Sequence, residues 1–216
     1  MRRSTTVLVV LALIVAAGAG AWLARTTLQR ETGIQLLHAT ALEPPQPLPE
    51  FSLLAENGQP LTRADVRGQW SFVFFGFTHC PDICPTTLAK LADVRKRVAD
   101  LPQEQQPQVL LVSVDPERDT PPVLSAYLKG FDPSFRGITG SVENIDAFAS
   151  ALGVAHSKVP MGGDQYMVDH TSVVMVIDPQ GRRAAIFSPP LEAAAIADDY
   201  RRLVTGRLVT GRLVTG

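Results

Sequence analysis

A chain of 216 residues with 20 Lys plus Arg against 21 Asp plus Glu carries almost no net charge. That balance excludes the one-sided basic field on which nucleic-acid binding depends, so no nucleic-acid partner is expected. An apolar share of 45 % is ordinary for a globular protein, and with a leader and a tail set aside the length suits one domain of about 150 residues.

The leader comes first. After a short head, residues 1–4, the chain reads STTVLVVLALIVAAGAGAWLA between Arg3 and Arg25, without a charge. About 20 apolar residues at ~1.5 Å each span a ~30 Å hydrocarbon layer, so residues 5–24 are expected to be a retained transmembrane anchor. The alternative is a signal peptide, because Ala17-Gly18-Ala19 and Ala19-Gly20-Ala21 resemble cleavage sites; the apolar stretch from Val7 to Ala24 is longer than the usual ~7–15-residue signal core. Arg2 and Arg3 before the span are matched by Arg25 and Arg30 after it, and the free amino terminus tips the balance towards an inside N-terminus. The expected location is a bacterial inner membrane, crossed once, with the globular part in the periplasm.

Residues 25–47 read as a linker, extended and semi-rigid where Pro44, Pro45, Pro47 and Pro49 cluster, with His38 solvated within it. The domain is placed at 48–203. Phe51 to Leu54 and the Asn57-Gly58 pair read as a strand and a turn. Trp70 to Phe77 (WSFVFFGF) lacks alternation and suits a strand buried on both faces. Leu88, Leu91, Ala92, Val94 and Val98 recur at helical spacing. Val109 to Val114 is a second buried strand. Thr120-Pro121 opens another helix, Phe135 to Thr139 is a short strand, and Ser141 caps a helix to Leu152. Ser172 to Ile177 is a third long strand, joined by Asp178-Pro179-Gln180-Gly181 to Arg183 through Phe187 as a hairpin, and a last helix covers Leu191 to Leu203. This order describes an α/β domain with a mixed central sheet flanked by helices. From residue 202 the segment RLVTG occurs three times, and 204–216 reads as a disordered, silent tail.

Two cysteines are all the chain owns, and both lie in Phe77-Thr78-His79-Cys80-Pro81-Asp82-Ile83-Cys84-Pro85, between a buried strand and a helix. Ligands gather in such loops, beyond the carboxyl ends of strands. With Asp82 capping the helix, Cys84 falls in the first turn, near the surface, where the helix N-terminus lowers a thiol pKa. Thiols four apart can meet at one metal ion or close to a disulfide. A structural disulfide is the bland reading, but so short a loop constrains the unfolded chain little. The spacing departs from the Cys-x-x-Cys of general disulfide oxidoreductases. Two thiolates select soft ions, Cu(I) foremost, and a third ligand is wanted. His79 adjoins Cys80 but diverges from it, and His156 carries no other signal. His170, in VDHTS before a buried strand, is the candidate, although a lone histidine there is more often structural than a ligand.

The segments FFGFTHCPDICPTTL, VSVDPERDTP and DQYMVDHTS…VIDPQG, in that order behind an apolar span, resemble the Sco (SenC/PrrC) copper-binding proteins over roughly Leu48 to Tyr200. The resemblance implies a thioredoxin-like fold that binds Cu(I) or Cu(II) through Cys80, Cys84 and His170. It implies a role in assembling the dinuclear copper centre of cytochrome c oxidase, with the oxidase copper subunit as partner. Asp169 either orients His170 or caps a turn; Asp115, Asp119 and Thr120 read as turn and capping residues on a loop that can frame a docking face. Met161 and Met167 lie near the histidine and are read as packing.

Two functions from different classes follow. The first is a copper metallochaperone. The second is a periplasmic thiol-disulfide reductase using Cys80 and Cys84 as a redox pair, which in an oxidising compartment needs a thiol reductant as a further partner. A thiol peroxidase and a ligand-free module rank below both.

Overall fold

The computed structural model describes residues 13–24, 35–163 and 165–206. Residues 13–24 are helical (α1) and belong to a unit separate from the one that begins at Gln35. The expected head at 1–4, the first part of the expected anchor and the repeats from residue 207 lie outside the described residues. Among the described residues no helix is long and apolar enough to cross a membrane.

The second unit is built on one eight-stranded mixed sheet in the order β1-β10-β9-β4-β5-β6-β2-β3. Its centre is β4 (Ser71–Gly76) and β5 (Gln108–Ser113), parallel to each other and to β6 (Arg136–Thr139). Every residue of β4 is buried, as the unbroken apolar run requires. Antiparallel β9 (Val174–Ile177) and β10 (Arg182–Phe187) extend the sheet on one side, and β2 (Ser52–Ala55) with β3 (Pro60–Thr62) on the other. Gly58 (φ +79°) and Gly181 (φ +74°) turn the two hairpins.

Side chains alternate across β4, so its two faces meet different helices. Phe72 packs on Tyr200 of α5 (Ala193–Thr205), ring centroids 5.0 Å apart, while Phe75 meets Phe148 of α4 (Val142–Ala151) at 5.9 Å. α2 (Ile83–Arg97) packs beside α5, and α3 (Pro121–Lys129) lies against β6, where Gly137 leaves room for Leu124. Ser141 caps α4 as its sequence suggests, accepting from the Asn144 N–H at 3.2 Å.

Three segments differ from expectation. Ala39–Pro47, expected as linker, is β1, the sheet's edge strand on β10. Prolines are admitted there because an edge needs donors on one side only, and the register breaks between Ala41 and Gln46, across Pro44-Pro45. The buried Asp199 carboxylate fixes this strand's entry by accepting the N–H groups of Leu37, His38 and Ala39 at 2.9, 2.6 and 2.9 Å. Second, the stretch before Ser172 is not a loop but a separate two-stranded ribbon, β7 (His156–Gly162) with β8 (Gln165–His170). Third, Leu203 and Val204 pack against the core, so the first repeat copy completes α5 until Gly206 (φ +61°) ends it.

Asp199→Ala removes one acceptor from three backbone donors and is expected to lower stability by about 2–3 kcal/mol in urea unfolding. An unchanged midpoint would show that water replaces the carboxylate without loss.

Candidate metal and thiol site

The end of β4 sets the site. Gly76 closes the strand where a Cβ would stand 2.9 Å from Phe74 Cε1 and 3.0 Å from Cys84 Sγ, so only glycine lets the strand pass this close to the sulfur. Phe77 to Asp82 then loop over into α2. Asp82 occupies the N-cap position, as expected, but its side chain makes no capping bond. The acceptor is Cys80 Sγ, which takes the Cys84 N–H at 3.4 Å.

Both cysteines are free, and both are buried rather than near the surface: Cys80 is 9 % exposed and Cys84 fully enclosed. Burial therefore pushes the Cys84 thiol well up, not down, with the hydrogen bond and charge of Cys80 adding to the rise. A helix N-terminus is worth ~0.3–1 kcal/mol at an exposed site, and removing a thiolate from water outweighs it.

His170 stands at the end of β8, and its Nε2 lies 3.5 Å from Cys84 Sγ. Its Nδ1 faces the Thr171 carbonyl oxygen at 3.3 Å, which places the ring proton there and leaves Nε2 as the acceptor of the Cys84 S–H. The rings of Phe74 and Phe77 approach the imidazole edge-on, centroids 5.9 and 6.1 Å away. Burial pushes the His170 pKa below its ordinary value, so the ring is neutral near pH 7 and has a lone pair to give. Of the two roles weighed for Asp169, ring orientation falls to the Thr171 carbonyl instead, and Asp169 itself is exposed.

A sulfur at about 2.3 Å and a nitrogen at about 2.0 Å from one ion are 3.5 Å apart at a ligand angle of roughly 110°. Cys84 and His170 therefore already sit at the separation of two ligands of one ion. Cys80 does not complete the set as it stands: among the described residues no group of three His, Cys, Asp or Glu side chains forms a ready metal site. Its sulfur is engaged with the Cys84 N–H. Phe77, Cys80, Pro81, Ile83, Met167 and His170 line a groove of about 310 Å³ at this spot, so the site opens to solvent.

The remaining histidines stand apart. His38 is exposed, as expected. His79 Nδ1 faces the Thr78 hydroxyl at 3.0 Å, and His156 Nε2 faces Asp146 at 3.2 Å. His156 is nonetheless the cross-strand partner of His170, a pairing that only the ribbon reveals.

The sequence reading missed the role of Asp115 and Asp119, which are fully buried rather than simple turn residues. Asp119 accepts from the Thr78 N–H (3.1 Å), the Thr78 hydroxyl (2.5 Å) and the Ser113 hydroxyl (2.7 Å), tying the cysteine loop to the loop after β5. Asp115 accepts from Tyr166 Oη at 2.7 Å and from Arg118 Nε, tying that same loop to the ribbon that carries His170. The signal in the sequence was Ser113, one polar residue inside the buried run VLLVSV. Thr120 holds the N-cap position of α3 without a side-chain bond.

Comparison with known proteins is consistent in every direction. The family model described as SCO1/SenC matches residues 39–205. A bovine relative, "Protein SCO2 homolog, mitochondrial", is 39 % identical over 91 % of this chain and 74 % of its own length. The mouse "Protein SCO1 homolog, mitochondrial" is 41 % identical over 68 % of this chain, which spans 52 % of that protein. Among solved structures, Arabidopsis thaliana ScoI with copper bound superposes with a TM-score of 0.70 at 31 % identity, over 74 % of this chain and 98 % of that one.

The raised Cys84 pKa has a direct readout. Alkylation of Cys84 by iodoacetamide in the reduced protein is expected to be far slower at pH 8 than that of a free thiol, with a rate still climbing with pH where a free thiol's has levelled off. The unfolded chain releases this proton first, so the thiol's contribution to stability is complete below the ordinary thiol range and is lost as pH rises through and above it. Rapid alkylation at pH 7 would contradict the burial argument.

Proposed function

The chain belongs to the SCO1/SenC family, and on that premise we propose that it is a membrane-anchored periplasmic copper metallochaperone. Its cargo, Cu(I) or Cu(II), is held by Cys80, Cys84 and His170 and passed to the copper subunit of cytochrome c oxidase for assembly of the dinuclear centre. The observation that carries the reading is the 3.5 Å approach of Cys84 Sγ to His170 Nε2. Two sulfurs and one imidazole are a donor set that soft cuprous ions prefer and cupric ions accept. The copper found in the Arabidopsis relative of the same fold supports that choice of metal.

The chain's own residues define the steps. Loading requires both thiols as thiolates; the Cys80 proton and the Cys84 proton, the latter held between sulfur and Nε2, both leave to solvent as the ion arrives. Cys80 turns from the Cys84 N–H to the ion. His170 gives its Nε2 lone pair while Nδ1–H stays on the Thr171 carbonyl. Delivery reverses this: incoming ligands of the recipient enter through the groove beside Pro81 and Ile83 and displace the protein's donors one at a time. The apolar leader holds the domain at the inner membrane, outside the cytoplasm, where the recipient's copper subunit is reached.

A second reading rests on the free Cys80–Cys84 pair itself. As a thiol-disulfide reductase, the Cys80 thiolate attacks one sulfur of a target disulfide and expels the other as a thiolate that takes a proton. Cys84 then attacks Cys80 and releases the second target thiol, so two electrons and two protons pass to the target and a Cys80–Cys84 disulfide remains. A periplasmic dithiol reductant must then restore the pair. The elevated Cys84 pKa slows the second attack.

Anaerobic titration of the reduced protein with Cu(I) against a competing chelator separates the two. One ion per chain is expected. Cys80→Ser or Cys84→Ser should abolish tight binding, and His170→Ala should weaken it by roughly 100-fold, leaving disulfide reduction intact. A reduced protein that stays metal-free yet turns over disulfides would establish the reductase instead.

A further inference from the structure

We propose that Arg118 and Tyr166 are positioning residues that clamp the β7–β8 ribbon over the cysteine loop and so keep His170 within reach of Cys84. The inference rests on the copper reading above and names what makes that site possible. The ribbon needs such a device. β8 pairs with β7 alone and with no strand of the main sheet, and an isolated pair of strands is marginal in water.

Along β8, Tyr166, Val168 and His170 are spaced by two and therefore share one face. At the His170 end the ribbon is held by the Thr171 N–H on the Ala155 carbonyl oxygen, 2.9 Å, a bond between the ribbon's own ends. Val168 is buried in the main core and His156 of β7 faces Asp146 of α4 at 3.2 Å, but the attachment richest in bonds to the body of the domain is at Tyr166. The Arg118 guanidinium lies over its ring, 3.8 Å from the centroid, and donates from Nη1 to the Tyr166 carbonyl oxygen at 3.2 Å. The ring's hydroxyl donates to the buried Asp115 carboxylate at 2.7 Å, and Arg118 Nε donates to that same carboxylate. On the other side the guanidinium lies 5.9 Å from the Phe77 ring, which is the ring that meets His170 edge-on. Arg118 thus stands between the residue that begins the cysteine loop and the residue four positions before the histidine.

The arrangement has the marks of a fixed joint. Asp115 is fully buried, and burial with the bond to Asp115 pushes the Tyr166 hydroxyl up to about 12, so it remains a donor at any physiological pH. Arg118 Nη2 is buried without a partner, a cost offset by what the rest of the guanidinium holds together. A further link, Lys158 to Glu117 at 2.7 Å, is exposed and of the kind that contributes little. Lys158 also faces the Tyr166 ring, 4.9 Å from its centroid, adding a second cation to the same aromatic face pair.

A double-mutant cycle on copper affinity tests this, with Cu(I) and a competing chelator as the probe. Tyr166→Ala and Arg118→Ala should each weaken binding about 10-fold, within the range that removal of a ligand-orienting partner produces. Tyr166→Phe, which keeps the stacked ring, should retain most of the affinity. In a His170→Ala background the same substitutions should cost nothing further, because they act only through the imidazole. An equal loss in both backgrounds, or no loss in the wild-type background, overturns the clamp. A His170→Ala protein that binds copper as tightly as wild type removes His170 from the ligand set and overturns the clamp with it, whereas a reduced wild-type protein that stays metal-free overturns the copper reading itself, a distinct result. Should Tyr166→Ala fail to fold, Arg118→Ala and Arg118→Lys run through the same cycle decide between these outcomes: their loss must vanish without His170.

Discussion

A thiol and an imidazole that lie 86 positions apart in the chain meet at 3.5 Å, and the chemistry of this domain depends on keeping them there. The contact is made between neutral groups. Burial raises the Cys84 pKa and lowers that of His170, so the proton stays on sulfur and the lone pair stays on nitrogen. A neutral pair is cheap to bury where a thiolate or imidazolium would not be. The fold thereby stores two soft ligands in a low-dielectric pocket, where only a species able to displace the shared proton engages them.

Holding that contact falls to buried polar groups together with the apolar core. The core positions β4 and α2, and with them the cysteines, and it reaches the ribbon through Val168 of β8. Asp119 fastens the cysteine loop and Asp115 fastens the ribbon, and both belong to the same short loop after β5. Buried carboxylates of this kind add little net stability compared with apolar replacements, because their desolvation offsets their bonds. What they supply is register: each carboxylate accepts from donors on a different segment, so the loops meet in one arrangement. Gly76 contributes by absence, leaving the space that Cys84 Sγ fills.

The parts of the fold that were legible in the sequence are those where one physical signal dominates. WSFVFFGF and VLLVSV could only be strands buried on both faces, and Ser141 and the Asp178–Gly181 turn carry local chemistry that tertiary contacts did not override. The segments that misled are those where two structures share a composition. A proline-rich stretch serves equally as a spacer or as an edge strand, and what decided for β1 was Asp199, 160 positions away from Ala39. The ribbon's strands contain Pro160, Met161 and Gly162 and bury little, so no alternation announced them. Asp115 and Asp119 have the look of turn residues because turns and buried carboxylates both follow strands. For the site, the cysteines are evident from their position, whereas His170, the candidate among four histidines by its place before a buried strand, reads more readily as structural until the family resemblance makes it a ligand. The Cys84 pKa was misjudged because helix position is written in the sequence and burial is not.

The most direct measurement is X-ray absorption at the copper edge on the anaerobically loaded protein, beside the same protein carrying His170→Ala. Two sulfur ligands and one imidazole nitrogen per copper, with the nitrogen scattering lost in the variant, is the result this account predicts. A sulfur-only spectrum, identical in both proteins, would contradict it.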